Sequence, residues 1–170
     1  MKKGFYYEYP IGRLGIVEES GAIVMVFFCN EKTAGKKHVK AGNKKYYSGE
    51  GFELVETALL KKTDSQLREY FSGKRKKFDL PLLPQGTGFQ MSVWKALQTI
   101  PYGKTCSYKD IAVLAGNEKA CRAVGMANNR NPITIIIPCH RVIGKDGSLT
   151  GYGGGLDIKE YLLQLEKKYL

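Results

Sequence analysis

A thiol, an imidazole and a guanidinium stand in a row at Cys139, His140 and Arg141, directly after Pro138. A thiolate is a strong nucleophile at neutral pH, but a free thiol is mostly protonated and needs a base. His140 is the histidine beside it; the other one, His38, lies in a lysine-rich stretch. Adjacent side chains on an extended chain point apart. Contact between Cys139 and His140 therefore requires a turn or a bridging water. A third group, a carboxylate, should fix the imidazole tautomer. Glu160 and Glu166, near the C-terminal end, are both candidates. The plainer reading of Cys139 is a small core residue, as most free cysteines are. The Pro-Cys-His-Arg context favours reactivity.

Ile133 to Ile137 is a run of mostly β-branched aliphatic residues and reads as a fully buried strand. Pro138 ends it, because proline has no N–H for a ladder. The reactive groups are thus expected at the end of a rigid element. Before it, Ser107 opens a short helix, with Asp110 three residues on as a variant capping box, and Gly116 closes it. Asn117 is placed to cap a second helix, with Glu118 in its first turn, running to about Asn128 and stopped by Asn131-Pro132. Two short helices around a tight glycine turn are a helix-turn-helix pattern. The second carries small residues at Ala120, Cys121, Ala123, Gly125 and Ala127 around Arg122. They suit either close approach to DNA or a crowded interior.

The remaining elements read as follows. Phe5–Tyr9, Leu14–Glu18 and Ala22–Cys29 are three strands of a β-meander. Residues 31–51 are rich in Lys, Gly and Asn and read as an exposed loop, possibly holding a short strand. Their lysines form a solvated face or a second phosphate-contacting surface. Helical spacing runs from Phe52 to Phe71, with a break or recap at Thr63-Asp64-Ser65. Residues 80–86, marked by Pro81 and Pro84, are a stiff joint. Phe89 to Ile100 is helical, with Phe89, Val93, Leu97 and Ile100 on one face and Trp94 widening it. A last helix is expected from a cap at Asp157 to Leu170, with Ile158, Tyr161, Leu162 and Leu165 inward. The expected fold is α/β of the α+β kind. Residues 1–80 form a β-meander plus a helix, and residues 81–170 a mostly helical domain with the helix-turn-helix and the Pro-Cys-His-Arg segment.

Composition narrows the function. The 170 residues can bury a real core and carry a net charge of +11. Such a charge points to a polyanionic partner, most simply nucleic acid. The excess is spread along the chain: residues 1–85 hold 16 basic and 10 acidic residues, and 86–170 hold 11 and 6. Cys29, Cys106, Cys121 and Cys139 are scattered singly, which is neither a zinc pattern nor a disulfide framework. No metal and no cofactor are expected. There is no apolar stretch of membrane-spanning length, and the basic start lacks the apolar region of a signal peptide. A cytoplasmic location follows as the expectation.

Pro138-Cys139-His140-Arg141-Val142 resembles the active-site motif of the O6-alkylguanine-DNA alkyltransferases. The likeness continues in order and spacing. It takes in Gly86-Thr87-Gly88-Phe89-Gln90 with Val93-Trp94, Ile100-Pro101-Tyr102-Gly103, Ser107-Tyr108, Arg122-Ala123-Val124-Gly125, Asn131-Pro132, Gly151-Tyr152 and Gly154-Gly155-Leu156. It covers residues 86–170. The first half matches weakly, mainly through Pro10-Ile11-Gly12-Arg13-Leu14-Gly15.

The resemblance implies direct-reversal DNA repair. Cys139 would take the alkyl group from O6 of guanine, once per molecule, with O4 of thymine left open as a second target. His140 would act as base through a water and Glu166 would orient it. Asn131 would hold the turn, and Tyr108 would bond the guanine and help protonate the departing anion. Pro132, Val142, Tyr152 and Gly153 would form the base pocket. The DNA-binding residues would be Arg122, which fills the gap in the stack, with Tyr108, Lys109, Asn117, Ala123, Gly125 and Lys145. The partner would be double-stranded DNA, entered from the minor groove with the base flipped out, and the protein a monomer. Three rival readings are a lesion-binding relative of the same fold that lacks the nucleophile, which Cys139 argues against, a helix-turn-helix regulator without chemistry, which the Cys-His-Glu set argues against, and a cysteine hydrolase that turns over.

Overall fold

The computed structural model describes residues 1–29, 38–41, 44–47 and 51–170, with 38–41 and 44–47 described by backbone alone. The chain divides into two compact units, Met1–Leu83 and Pro84–Leu170. Among the described residues no helix is long and apolar enough to cross a membrane.

Among its described residues the first unit holds a four-stranded sheet, its strands in the spatial order third, second, first and sixth, with one helix on it. β1 (Lys3–Tyr9), β2 (Gly12–Glu19) and β3 (Ala22–Phe28) form the expected antiparallel meander. The β2–β3 turn is tight because Ser20 and Gly21 both adopt positive φ, 52° and 76°. A hairpin of β4 (His38–Ala41) and β5 (Lys44–Tyr47) follows. The rest of the lysine-rich stretch, and with it the expectation of an exposed loop, lies outside the described residues.

The helical pattern from Phe52 divides differently. Glu53–Leu54 is a short strand, β6, parallel to β1, and the Phe52 ring is buried against Gly4. Helix α1 (Ala58–Phe71) starts only after Thr57, whose hydroxyl accepts from the Leu60 N–H. No break occurs at Thr63, because its hydroxyl turns back onto the Leu59 carbonyl at 2.8 Å. Asp64 is taken up by Tyr9 and Arg68. Residues 81–83 bond the outer edge of β3, Ile23 N–H to Pro81 O and Leu83 N–H to Ile23 O, both at 2.8 Å. That covers an edge strand that would otherwise be open.

The second unit is built from four helices and a two-strand parallel pair. α2 (Gly88–Leu97) begins with a full capping box between Thr87 and Gln90. Its buried face is Val93, Trp94, Ala96 and Leu97. α3 (Tyr108–Leu114) carries the expected box between Ser107 and Asp110. β7 (Cys106–Ser107) pairs with β8 (Val142–Ile143), tying the start of α3 to the segment after Arg141. α4 (Cys121–Asn129) begins later than its sequence suggests. The Asn117 side chain accepts from the Lys119 N–H, so it closes the inter-helix turn and leaves the helix start at Ala120 without a side-chain cap. α5 (Leu156–Lys168) starts at Gly155, φ 97°, and Asp157 lies in its first turn near the positive helix end. Its buried residues are Lys159, Leu162, Leu165 and Glu166; Tyr161 is outside. The hydrophobic pattern misplaces Tyr161 because two charged residues occupy the inner stripe.

The Trp94 indole joins α2 to α4 by donating to the Ala127 carbonyl at 2.8 Å in the buried interior. Trp94→Phe keeps most of the apolar contact but removes that bond, leaving the carbonyl with the Arg130 N–H at 3.2 Å. Chemical denaturation should show a loss of about 0.5–1.5 kcal/mol.

Candidate active site

The run Ile133–Ile137 is buried as expected, but it is not a strand. It is folded into a compact turn. Asn131 holds both of its ends: Oδ1 accepts from Ile133 N–H at 3.0 Å and Nδ2 donates to Ile137 O at 2.8 Å. Ile136 N–H bonds Thr134 O at 2.8 Å around Ile135, whose φ is 70°. This is the rarer and strained hand of γ-turn, held by a β-branched residue. Such a conformation costs on the order of 1–3 kcal/mol and persists only where surroundings enforce it. Here Ile135 is 1% exposed and the Asn131 clamp closes around it. Pro138, at φ −82° and ψ 64°, centres a second and relaxed γ-turn through Cys139 N–H to Ile137 O. A 3-10 turn, Cys139–Arg141, follows. These turns, in place of a strand end, allow neighbouring side chains to serve one site. Asn128 on α4 donates to the Cys139 carbonyl at 3.2 Å, linking the second helix of the pair directly to the thiol-bearing residue.

Cys139 is buried. Burial pushes its thiol above the ordinary value, while hydrogen bonds from Asn131 and Thr134 and the charge of Lys159 pull the other way. His140 is fully buried, and its Nε2 lies 2.7 Å from Glu166 Oε1. With Nε2–H on the carboxylate, Nδ1 is the basic nitrogen. Burial holds the imidazole below its usual value against the opposing pull of Glu166, so it is neutral and can accept a proton.

Of the two candidate carboxylates, Glu166 occupies the site and Glu160 is outside, receiving the Gln164 amide. Glu166 also accepts from Arg141, Nε to Oε2 at 2.9 Å and Nη2 to Oε1 at 2.9 Å, and from the Gly103 N–H at 3.1 Å. Arg141 in turn donates to Ile100 O at 2.7 Å. Burial alone would raise the Glu166 carboxyl, but the His140 and Arg141 bonds outweigh it and hold it at about 2.

Lys159 carries no signal in the sequence, where it reads as one more surface lysine. It is fully buried, donates to Val142 O and Thr150 O, and lies 6.0 Å from the Tyr108 ring. Tyr108, at the start of α3, donates to Thr150 O at 2.9 Å. The Tyr152 phenol lies 3.2 Å from Thr134 Oγ1. Pro132 is half-buried, Val142 buried and Gly153 exposed. Arg122, Ala123, Lys109, Asn117 and Lys145 are all exposed, and Lys109 and Lys145 both act on the Asp110 charge. Gly125 differs: it is half-buried and faces the Tyr108 ring, where an added Cβ would sit 3.9 Å from it. Among the described residues no three metal-binding side chains come together.

Two family models match this chain: the 6-O-methylguanine DNA methyltransferase ribonuclease-like domain over residues 1–84 and its DNA binding domain over 88–168. The chain belongs to the 6-O-methylguanine DNA methyltransferase family. A methylated-DNA–protein-cysteine methyltransferase of Methanosarcina acetivorans is 48% identical over 94% of this chain and 95% of its own. The constitutive enzyme of that name from Bacillus subtilis is 46% identical over 94% and 92%. The crystal structure of Mycobacterium tuberculosis O6-methylguanine methyltransferase superposes with a TM-score of 0.85 at 39% identity, over 100% of this chain and 95% of that one. The M. tuberculosis OGT structure in complex with DNA gives 0.84 at 40%, over 98% and 94%.

Glu166 is a carboxylate whose folded value is depressed. Its contribution to stability is fully present above its ordinary value of 4.5 and is lost as pH falls toward about 2. His140, held neutral by burial, adds loss in the same direction below its ordinary 6.5. Denaturation across this acid range should show stability falling, with a smaller slope in Glu166→Gln. At neutral pH that substitution should cost about 3–5 kcal/mol, because it leaves the buried Arg141 without its counter-charge.

Proposed function

We propose that this protein repairs DNA by direct reversal, taking the alkyl group from O6 of guanine onto Cys139. The observation that carries the reading is a buried thiol beside a histidine–glutamate pair, bonded through Asn128 to a helix-turn-helix in a basic protein. The neutral His140 accepts the thiol proton through a water at Nδ1, and the ionised Glu166 stabilises the resulting imidazolium. The thiolate attacks the alkyl carbon and displaces O6 of the guanine: a sulfur–carbon bond forms and the carbon–oxygen bond breaks. The electron pair goes to the guanine, and Tyr108 helps the base take up a proton. The desolvated site strengthens these charge interactions.

The thiol is buried, so the guanine must leave the duplex to reach it. Pro132, Val142, Tyr152 and Gly153 form the receiving pocket. The exposed face of α4 enters the minor groove with Ala123 close to the DNA. Arg122 fills the vacated place in the stack, and Lys109, Asn117 and Lys145 contact phosphates. The protein works as a monomer, and each molecule acts once, because a thioether is a poor leaving group.

Mixing the protein with a duplex carrying one O6-methylguanine should raise its intact mass by one methyl, mapped to Cys139 and absent in Cys139→Ser. A hydrolase would instead release product and turn over, and a DNA-binding regulator would leave the lesion in place. Repaired DNA with unchanged protein mass overturns the reading. Arg122→Ala should slow transfer from duplex about tenfold or more while leaving transfer from free O6-methylguanine unchanged; equal slowing of both would remove Arg122 from base extrusion.

A further inference from the structure

Tyr108 enters the reaction above as a donor to the guanine, yet its proton is already engaged. The phenol donates to the Thr150 carbonyl at 2.9 Å. In return the Thr150 hydroxyl donates to the phenol oxygen at 3.2 Å. One residue, 42 positions away in the chain, thus holds both the proton and a lone pair of the phenol. The same carbonyl also accepts from Lys159 Nζ at 3.0 Å. Lys159 is fully buried, and its ammonium bonds the Val142 carbonyl as well. It therefore ties Thr150 to the segment that follows the acceptor turn. Gly151 fixes the chain on the other side of Thr150: its φ is 49°, and a Cβ there would lie 3.4 Å from the Asn129 side-chain amide at the end of α4.

These bonds have different fates when a base arrives. A phenol has one proton, so Tyr108 serves the guanine only by turning its O–H away from the Thr150 carbonyl. That carbonyl is not orphaned, since Lys159 stays on it. The Thr150 hydroxyl keeps its bond too, because it donates to the phenol oxygen and does not compete for the proton. We propose that Thr150 is a positioning residue for Tyr108: its hydroxyl holds the phenol oxygen in place while the phenol O–H turns from the Thr150 carbonyl to the guanine. A donor on the phenol oxygen also makes the phenol a stronger donor in its turn, because hydrogen bonds in a chain polarise one another. Thr150 thus acts through Tyr108, and Lys159 leaves the phenol proton free to change partners by satisfying the carbonyl it vacates.

This inference rests on the reading that Tyr108 serves a guanine whose alkyl group goes to Cys139. The test uses Thr150→Val, which keeps the shape and the backbone carbonyl but removes the hydroxyl, and Thr150→Ser, which restores it. Thr150 is exposed, so neither change opens the core. Single-turnover methyl transfer from an O6-methylguanine duplex is followed against protein concentration, which separates the saturated rate from the half-saturating concentration. Thr150→Val should lower the saturated rate about two- to tenfold, the range of one ordinary hydrogen bond, and leave half-saturation unchanged. Thr150→Ser should follow the wild type. In a Tyr108→Phe background Thr150→Val should slow transfer no further. An unchanged saturated rate in Thr150→Val, with the methyl mapped to Cys139, overturns the inference alone. So does a shift confined to half-saturation, since that is what merely pinning the loop would give, and so does an equal slowing in the Tyr108→Phe background. A wild type that places the methyl elsewhere overturns the reading of the site and this inference with it.

Discussion

The second unit depends on one buried carboxylate. Glu166 receives a guanidinium, an imidazole and a backbone N–H in a region closed to water. The cluster draws on three parts of the chain: α5 supplies Glu166, the turn after Pro138 supplies His140 and Arg141, and the loop after α2 supplies Gly103. Desolvating an ion is expensive, and only a full set of partners offsets it. Once Arg141 has neutralised the charge, the same oxygen can orient His140 without being protonated. The structural ion pair and the chemical one therefore share one carboxylate, which locks the register of α5 against the acceptor turn.

The acceptor turn is the second constraint. A strand ending at Pro138 would send Cys139 and His140 to opposite faces. The two γ-turns and the 3-10 turn replace that alternation, so the Cys139 carbonyl meets Asn128 while the imidazole meets Glu166. Asn131 is central because its amide closes the loop of mostly β-branched residues at both ends. Strain at Ile135 is tolerated because its side chain is buried and its neighbours are held. Rigidity near the sulfur suits a reaction in which a carbon must be approached in line with its breaking bond.

Much of this was legible in the residues. The capping box at Ser107, the meander turns and the stop at Asn131-Pro132 all follow from local chemistry, and a carboxylate partner for His140 follows from the needs of the imidazole. Where reading failed, competing local signals had been settled by distant partners. Apolar β-branched residues in a row indicate burial equally well in a strand and in a clamped turn. Asn117 can cap a helix or a turn, and its side chain found the nearer N–H.

The sequence by itself determined which groups are available and how far apart they lie along the chain: one thiol beside one histidine, a terminal helix with glutamates, a short helix pair, and an excess of positive charge. Local chemistry left both Glu160 and Glu166 open and only the family resemblance singled out Glu166, because the two differ in which side of α5 faces the acceptor turn. Nor could it show that Lys159 is buried, since a lysine on a helix is ordinarily solvated and only the carbonyls of Val142 and Thr150 make its burial tolerable. Those choices belong to the tertiary structure. The cost of burying a charge or a polar atom is decided by what surrounds it, and the surroundings are assembled from segments that the linear order keeps apart.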